Sequence, residues 1–344
     1  MVTLVPVSGL DESQRDLFAG YVEVYAASGR ALFGDDHTAW GADELRELER
    51  KHDRQTLAVA AVEGDGKVDG EVVGAASVVL RLRDNPRVAF VSLAVHPEHL
   101  RRGHGSQLLA WVEQQARRAG RTVFIAETEW PTHGTDTSGE GFAARHGYQP
   151  AQQVLRSTLR LPVDEVTLTE LAAGDGDYVL ETGVDGIPDS WLDERAGLQR
   201  RMSTDVPLGD LQLEEEDWDA ERIRGQYATL VAMGRRVVET AARHVPSGRL
   251  VGYTQVQVSP ETPTLGYQQD TLVVREHRGH GLGLRLKAAN TAGDGAPPRA
   301  HRHPHVERRR QHPHARREPA ARLRGRRPPA RVAEGDGVTV EGGR

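Results

Sequence analysis

Two stretches of this chain, 178 residues apart, limit its fold more than any other feature. One is "PEHLRRGHGSQLLAW", Pro97 to Trp111, and the other is "REHRGHGLGLRLKAAN", Arg275 to Asn290. In each, a basic, glycine-rich turn opens directly into helix-forming sequence, and Gly103-His104-Gly105 superposes on Gly281-Leu282-Gly283. Each is also preceded by a hairpin and one more apolar run. A chain that repeats an ordered set of elements folds as two copies of one domain. With 344 residues, each copy can bury its own core.

The elements around the loops follow from apolar spacing. "SQRDLFAGYVEVYAASG" has helical periodicity at Leu17, Tyr21, Val24 and Tyr25, with Ser13 as its cap, and "ADELRELERK" is a second helix. "QTLAVAAVEGDGKVDGEVVGAASVVLRL" is a hairpin and "RVAFVSLAVHP" a further strand. The loop and the helix "GSQLLAWVEQQARRAG" come next, ending at Gly120. "TVFIAE", "GEGFAARHG" and "QQVLRSTLRL" give strand, short helix and closing strand. The order restarts near Leu161 to Glu165: "DYVLETGV" is a strand, "SWLDERAGLQRRM" and "EEDWDAERIRGQYATLVAMG" are helices, and a hairpin and "TLGYQQDTLVV" lead to the second loop.

A strand that ends in such a turn and opens a helix suits a phosphate group. Glycines let successive N–H groups point into one concavity, and the helix start adds partial positive charge. Neither loop has the Gly-Lys-Ser/Thr of a nucleotide-triphosphate loop or the spacing of a dinucleotide fingerprint.

Hairpin, strand, R-x-x-G-x-G, helix, strand resembles the GNAT superfamily of acetyl-coenzyme A-dependent N-acetyltransferases. "HRGHGLG", His277 to Gly283, fits that family's pyrophosphate loop fully, and "HLRRGHG", His99 to Gly105, fits except that Leu100 stands where Arg or Gln is usual. The tandem layout resembles the double-domain actinobacterial type of the mycothiol synthase kind. The resemblance implies an α/β fold with a mixed sheet in each of two GNAT-like domains, and acetyl-CoA as co-substrate with no metal. It implies binding along the backbone around Leu93 and Val95 and at Arg101, Arg102, Gly103, His104, Gly105 and Ser106. In the second copy the matching positions are Leu272, Val274, Arg278, Gly279, His280, Gly281, Leu282 and Gly283. The acceptor is then the amine of a small molecule or peptide, attacking the thioester directly.

The copies differ in the groups available for proton transfer. The strand "RVAFVSLAVHP" holds no carboxylate, and in "FAARHGY" Ala143 takes the place of the acid tyrosine that the resemblance implies. The first copy thus reads as a binder more than a catalyst. In the second, Asp270 matches Ser92 and is suited to act as a base, directly or through water, unless it faces solvent on a polar edge. Glu239 reads as an outward strand residue, and "LEEEDWDAE" as a solvated helix start.

Charge divides the chain. From Thr291 onward there are 13 Arg, no Lys and 6 acidic residues, so the remainder carries −13 of the net −6. So acidic a body argues against nucleic acid as its partner. There are no cysteines, hence no thiolate metal sites. The start of the chain lacks the pattern of a signal peptide, and no apolar run approaches the roughly 20 residues of a membrane span, so a cytoplasmic protein without membrane partners is expected.

The tail lacks Ile, Phe, Tyr, Trp and Met, and disorder is expected of it. It begins where the second copy still needs its last strands and helix. Shifted by one base under G/C-favoured codons, part of it can read TWNAAVNTRMRAVNPRLGFEVADRPPEWQ, which resembles those missing elements. The expectation is a frame-shifted tail and impaired transfer, with domains at 1–162 and 163–290 and the tail at 291–344. Two alternatives remain: a non-catalytic acyl-CoA sensor, and a basic tail that binds RNA or an acidic surface.

Overall fold

The structure is a computed structural model that describes residues 2–64, 70–132, 138–174, 176–205, 209–292 and 308–317. The first copy runs β1 (Val2–Val7), α1 (Arg15–Phe33), α2 (Ala42–Glu49), β2 (Arg54–Glu63), β3 (Glu71–Arg81), β4 (Val88–Val95), α3 (His104–Arg118), β5 (Val123–Pro131), α4 (Ser138–Arg145) and β6 (Gln149–Arg156). Both faces of its sheet are covered, so its central strands read as continuous apolar runs. On β2, Val59 and Ala61 pack in the layer that holds Leu108, Val112 and Ala116 of α3. Ala60 and Val62 pack with Leu17, Phe18, Tyr21 and Val24 of α1. The cap of this first helical segment is not Ser13: Asp11 accepts the Ser13 N–H at 2.9 Å in a 3-10 turn that leads into α1.

The second copy opens with a helix that the sequence reading omits, α5 (Glu165–Ala172). It continues with β7 (Tyr178–Val184), α6 (Leu192–Met202), α7 (Ala220–Ala232), β8 (Arg236–His244), β9 (Arg249–Val258), β10 (Gly266–Val273) and α8 (Leu282–Ala292). Its described sheet is antiparallel, in the order β10-β9-β8-β7, and repeats β4-β3-β2-β1 of the first copy.

One strand crosses between the halves of the chain. Within the stretch expected to be disordered, Arg308–Arg317 form β11, which lies antiparallel between β5 and β6. The seven-stranded order is β1-β2-β3-β4-β5-β11-β6. The rest of the tail beyond Ala292 lies outside the described residues.

The acidic run before α7 is not a solvated helix start. The helix begins only at Ala220, where Asp219 caps it by accepting the Arg222 N–H at 2.7 Å. The run docks on the first copy instead. Asn85 Oδ1 accepts the Glu214 N–H and Asp84 Oδ1 the Asp217 N–H, each at 2.7 Å. Arg83 pairs with Asp217 and Asp219 at 2.9 Å, and Arg81 with Glu216. Two further buried pairs cross the boundary, Asp84–Arg222 and Glu44–Arg235, both at 2.7 Å. No described helix is long and apolar enough to cross a membrane.

Candidate functional site

In the first copy, β4 pairs with β3 to its last residue, Gly74↔Val95, but runs parallel to β5 only from Val88↔Val123 to Val91↔Ala126. The parallel strands part after Val91. Ser92 to Val95 then form one wall of an opening that leads to the head of α3. Leu93 and Val95 on that wall are half-buried.

The loop above the opening bends through left-handed conformations at Arg101 (φ 64°) and Gly103 (φ 87°). A Cβ at Gly103 would meet nothing within 4 Å, so the loop faces open space. At Gly105 a Cβ would come within 3.2 Å of the Phe142 ring, which keeps that position small. The Gln107 N–H makes the bond to the Gly103 carbonyl, at 3.3 Å. The N–H groups of His104, Gly105 and Ser106 precede it and have no helical acceptor. Main-chain donors and a helix start thus converge on one place, with Arg101 exposed beside them, an arrangement that favours an anion; the Arg102 guanidinium is exposed too but donates to the Glu98 carbonyl at 3.2 Å.

Side chains at the first opening offer little acid–base chemistry. Ser92 is exposed and lies opposite Ser77, with the Tyr25 phenol of α1 beside them; burial raises the Tyr25 pKa. β4 has no carboxylate, as the sequence implies. Ala143 is buried, and the Tyr148 hydroxyl is turned away to donate to Glu113 Oε1 at 3.0 Å. Ser106 Oγ lies 3.0 Å from His146 Nε2 at the rim.

The second copy has the same loop with different side chains beside it. Gly279 (φ 89°) and Gly281 (φ 68°) are left-handed, and a Cβ at Gly279, Gly281 or Gly283 would meet nothing within 4 Å. Arg278 and His280 are exposed, and Arg278 Nε donates to the Val273 carbonyl at 3.0 Å. Leu272 and Val274 are buried, which leaves their backbone as the part that can serve a ligand. His104 and Leu282, at matching loop positions, also turn their side chains inward.

Before its loop, β10 carries a bulge: the register jumps from Gln268↔Val256 to Thr271↔Thr254, so Gln269 and Asp270 stand against Gln255 alone. Bulges re-aim side chains. Asp270 is exposed, and its Oδ2 accepts from Gln199 Nε2 at 3.2 Å and lies 3.4 Å from the Tyr253 hydroxyl. Burial raises the Tyr253 pKa, which keeps that phenol a donor.

Glu239, expected on an outer face, is instead fully buried. It pairs with Arg195 Nε at 2.7 Å and accepts from the Tyr227 hydroxyl at 2.8 Å and Gln255 Nε2 at 2.9 Å. Burial works against the Arg195 charge, but Glu239 outweighs it and the guanidinium pKa ends up raised. Arg195 Nη1 then donates to Gln199 Oε1 at 2.8 Å, which joins the buried pair to the Asp270 carboxylate. None of these partners stood out in the sequence. The available sign was the set of polar residues in "GYTQVQVS", since Gln255 and Gln257 lie on one face of a strand that is mostly buried.

Comparisons with known proteins match these features. Residues 22–148 match the Acetyltransferase (GNAT) family. Over 83 residues the chain is 39% identical to a mycothiol acetyltransferase of Kineococcus radiotolerans, a match that spans 24% of this chain and 25% of that protein. A tandem GNAT protein from the clavulanic acid biosynthesis pathway superposes with a TM-score of 0.67 at 24% identity, over 91% of this chain and 98% of its own. A GCN5-related N-acetyltransferase from Sphaerobacter thermophilus gives a TM-score of 0.58 at 18% identity, over 94% and 98%. These structural likenesses show a shared tandem fold.

Proposed function

We propose, on the match of residues 22–148 to the GNAT acetyltransferase family, that the chain transfers an acetyl group from acetyl-CoA to the amine of a small molecule or peptide. The observation that carries this reading is the parting of β4 from β5 after Val91, directly below an open glycine loop at a helix head. In this reading the N–H groups from Gly103 to Ser106 hold the diphosphate, helped by Arg101 and Arg102. The backbone of Leu93 to Val95 pairs with the pantetheine arm.

The transfer forms a bond from the acceptor nitrogen to the acetyl carbon and breaks the carbon–sulfur bond; the nitrogen loses a proton and the thiolate gains one. Most of this is positioning. Asp270 is the base in the second copy, held by Gln199 and by the Tyr253 phenol. The two copies divide what a working site needs. The first has the walled opening but Ser92 where a base belongs, while the second has Asp270 but no described strand beside β10. With no carboxylate on β4 and Ala143 in place of the tyrosine, transfer at the first copy is expected to be slow.

A second reading, a non-catalytic sensor of acyl-CoA, is favoured by the buried Ala143 and the uncharged β4. Calorimetric titration of the full chain with acetyl-CoA, and thiol release over a panel of amines, separate the two. Gly103→Glu places a carboxylate in the cradle and is expected to weaken binding by about tenfold or more, the equivalent of ~1.4 kcal/mol; Gly281→Glu is expected to change it less. Asp270→Asn lowers amine-dependent thiol release without changing affinity if the chain is an enzyme. Release that no amine accelerates makes it a sensor, and absence of binding removes both readings.

A further inference from the structure

The repeat itself exposes an anomaly. At the position after the second-copy Gly281 stands Leu282, an apolar side chain packed in the core. The matching residue in the first copy is His104, also buried, at 7% exposure. Both of its ring nitrogens are shut off from solvent, and neither has a hydrogen-bond partner among the described residues. A polar ring in a position built for leucine costs stability unless something takes up its lone pair.

Two more donors lie beside it. Glu63 ends β2, and His99, also buried, sits in the turn before the loop. One ligand atom from each of Glu63, His99 and His104 lies within 4.8 Å of the others. Glu63 Oε2 is 3.2 Å from His99 Nδ1, and the far nitrogen of His99 is 3.5 Å from Glu71 Oε1. A carboxylate behind a ligating imidazole is the usual outer support of a metal-bound histidine, because it fixes the ring and raises its basicity.

Against the metal-free expectation from the sequence, we propose that Glu63, His99 and His104 bind one divalent transition-metal ion of the zinc type. Two imidazoles and one carboxylate suit zinc, disfavour magnesium and calcium, and leave a fourth position for water or an anion. The ion ties the end of β2 to the loop and the first turn of α3. Arg102 lies 3.2 Å from His99 Nδ1 and 3.8 Å from Glu63, and yields its place when the ion binds. Its side chain is 52% exposed, so it swings outward without leaving a buried charge.

The test uses the full chain, stripped with a chelator and titrated with Co²⁺ and then Zn²⁺ in the absence of any coenzyme. One equivalent of Co²⁺ is expected to give the visible bands of a four-coordinate site, and Zn²⁺ to displace it. His104→Leu installs the residue that the other copy carries at this position, so folding is preserved. It and Glu63→Gln are each expected to lose that one equivalent, with at least a tenfold rise in dissociation constant. His96 and Glu98 form an alternative group around His99, and His96→Asn is expected to leave binding unchanged. Any weaker uptake by other histidines is unchanged in all three variants and does not count toward the tight equivalent. The proposal is overturned if His104→Leu keeps the tight equivalent, if His96→Asn removes it, or if the stripped chain takes up no tight ion.

Discussion

At the scale of single residues, the second copy is organised around one buried charge. Glu239 holds Arg195, Tyr227 and Gln255 at once, and none of these groups can turn to water instead. Removing one member of such a pair strands the other. Glu239→Ala is expected to cost about 3–5 kcal/mol, read as a fall in the urea midpoint at unchanged slope. The residue was misread from the sequence because alternation along a strand identifies an outer face only when that face is bare. Here α6 and α7 cover it, and a helix that closes over a strand leaves no mark in the strand's own spacing. The loop glycines were legible for the opposite reason. Left-handed backbone at Gly103, Gly279 and Gly281 is a local demand that the sequence states directly.

Among the elements, α7 shows how a short acidic run sets a boundary. Asp219 caps the helix and also meets Arg83 of the first copy, and its carboxyl pKa is lowered first by the Arg222 N–H and then by Arg83. A carboxylate whose folded pKa is depressed contributes stability above its unfolded value, near 3.9, and loses it as pH falls through the folded value. Asp219→Ala is expected to cost about 1 kcal/mol at neutral pH. The gap from the wild type narrows as pH falls below the unfolded value and closes once the folded carboxylate is protonated as well, as melting temperatures measured against pH will reveal. Strands and helices followed apolar spacing closely, which is why the order hairpin, strand, loop, helix could be read twice. What spacing could not supply was partnership. Neither the docking of residues 214–219 nor the insertion of β11 between β5 and β6 is encoded near the element concerned.

For the whole molecule, the decisive contacts are the charged ones between the copies. Glu44 of α2 accepts from Arg235 Nε at 2.7 Å and from Ser259 Oγ at 2.8 Å, all buried. From there hydrogen bonds run through Gln257, Gln255, Glu239, Arg195 and Gln199 to Asp270. The two copies are therefore expected to unfold together. Glu44→Ala is expected to cost about 3–5 kcal/mol and to uncouple them, so that the calorimetric enthalpy exceeds the van 't Hoff value where the wild type shows agreement.

The opening between β4 and β5 is made of main chain, and that determines how such a protein wears. Most substitutions leave a row of amides where it was, whereas one change at a proton-transferring side chain ends turnover. On the proposed function, drift after duplication silences the chemistry of a half before it loosens the hold on the carrier, and a copy that no longer turns over is expected to titrate with the coenzyme like a working one.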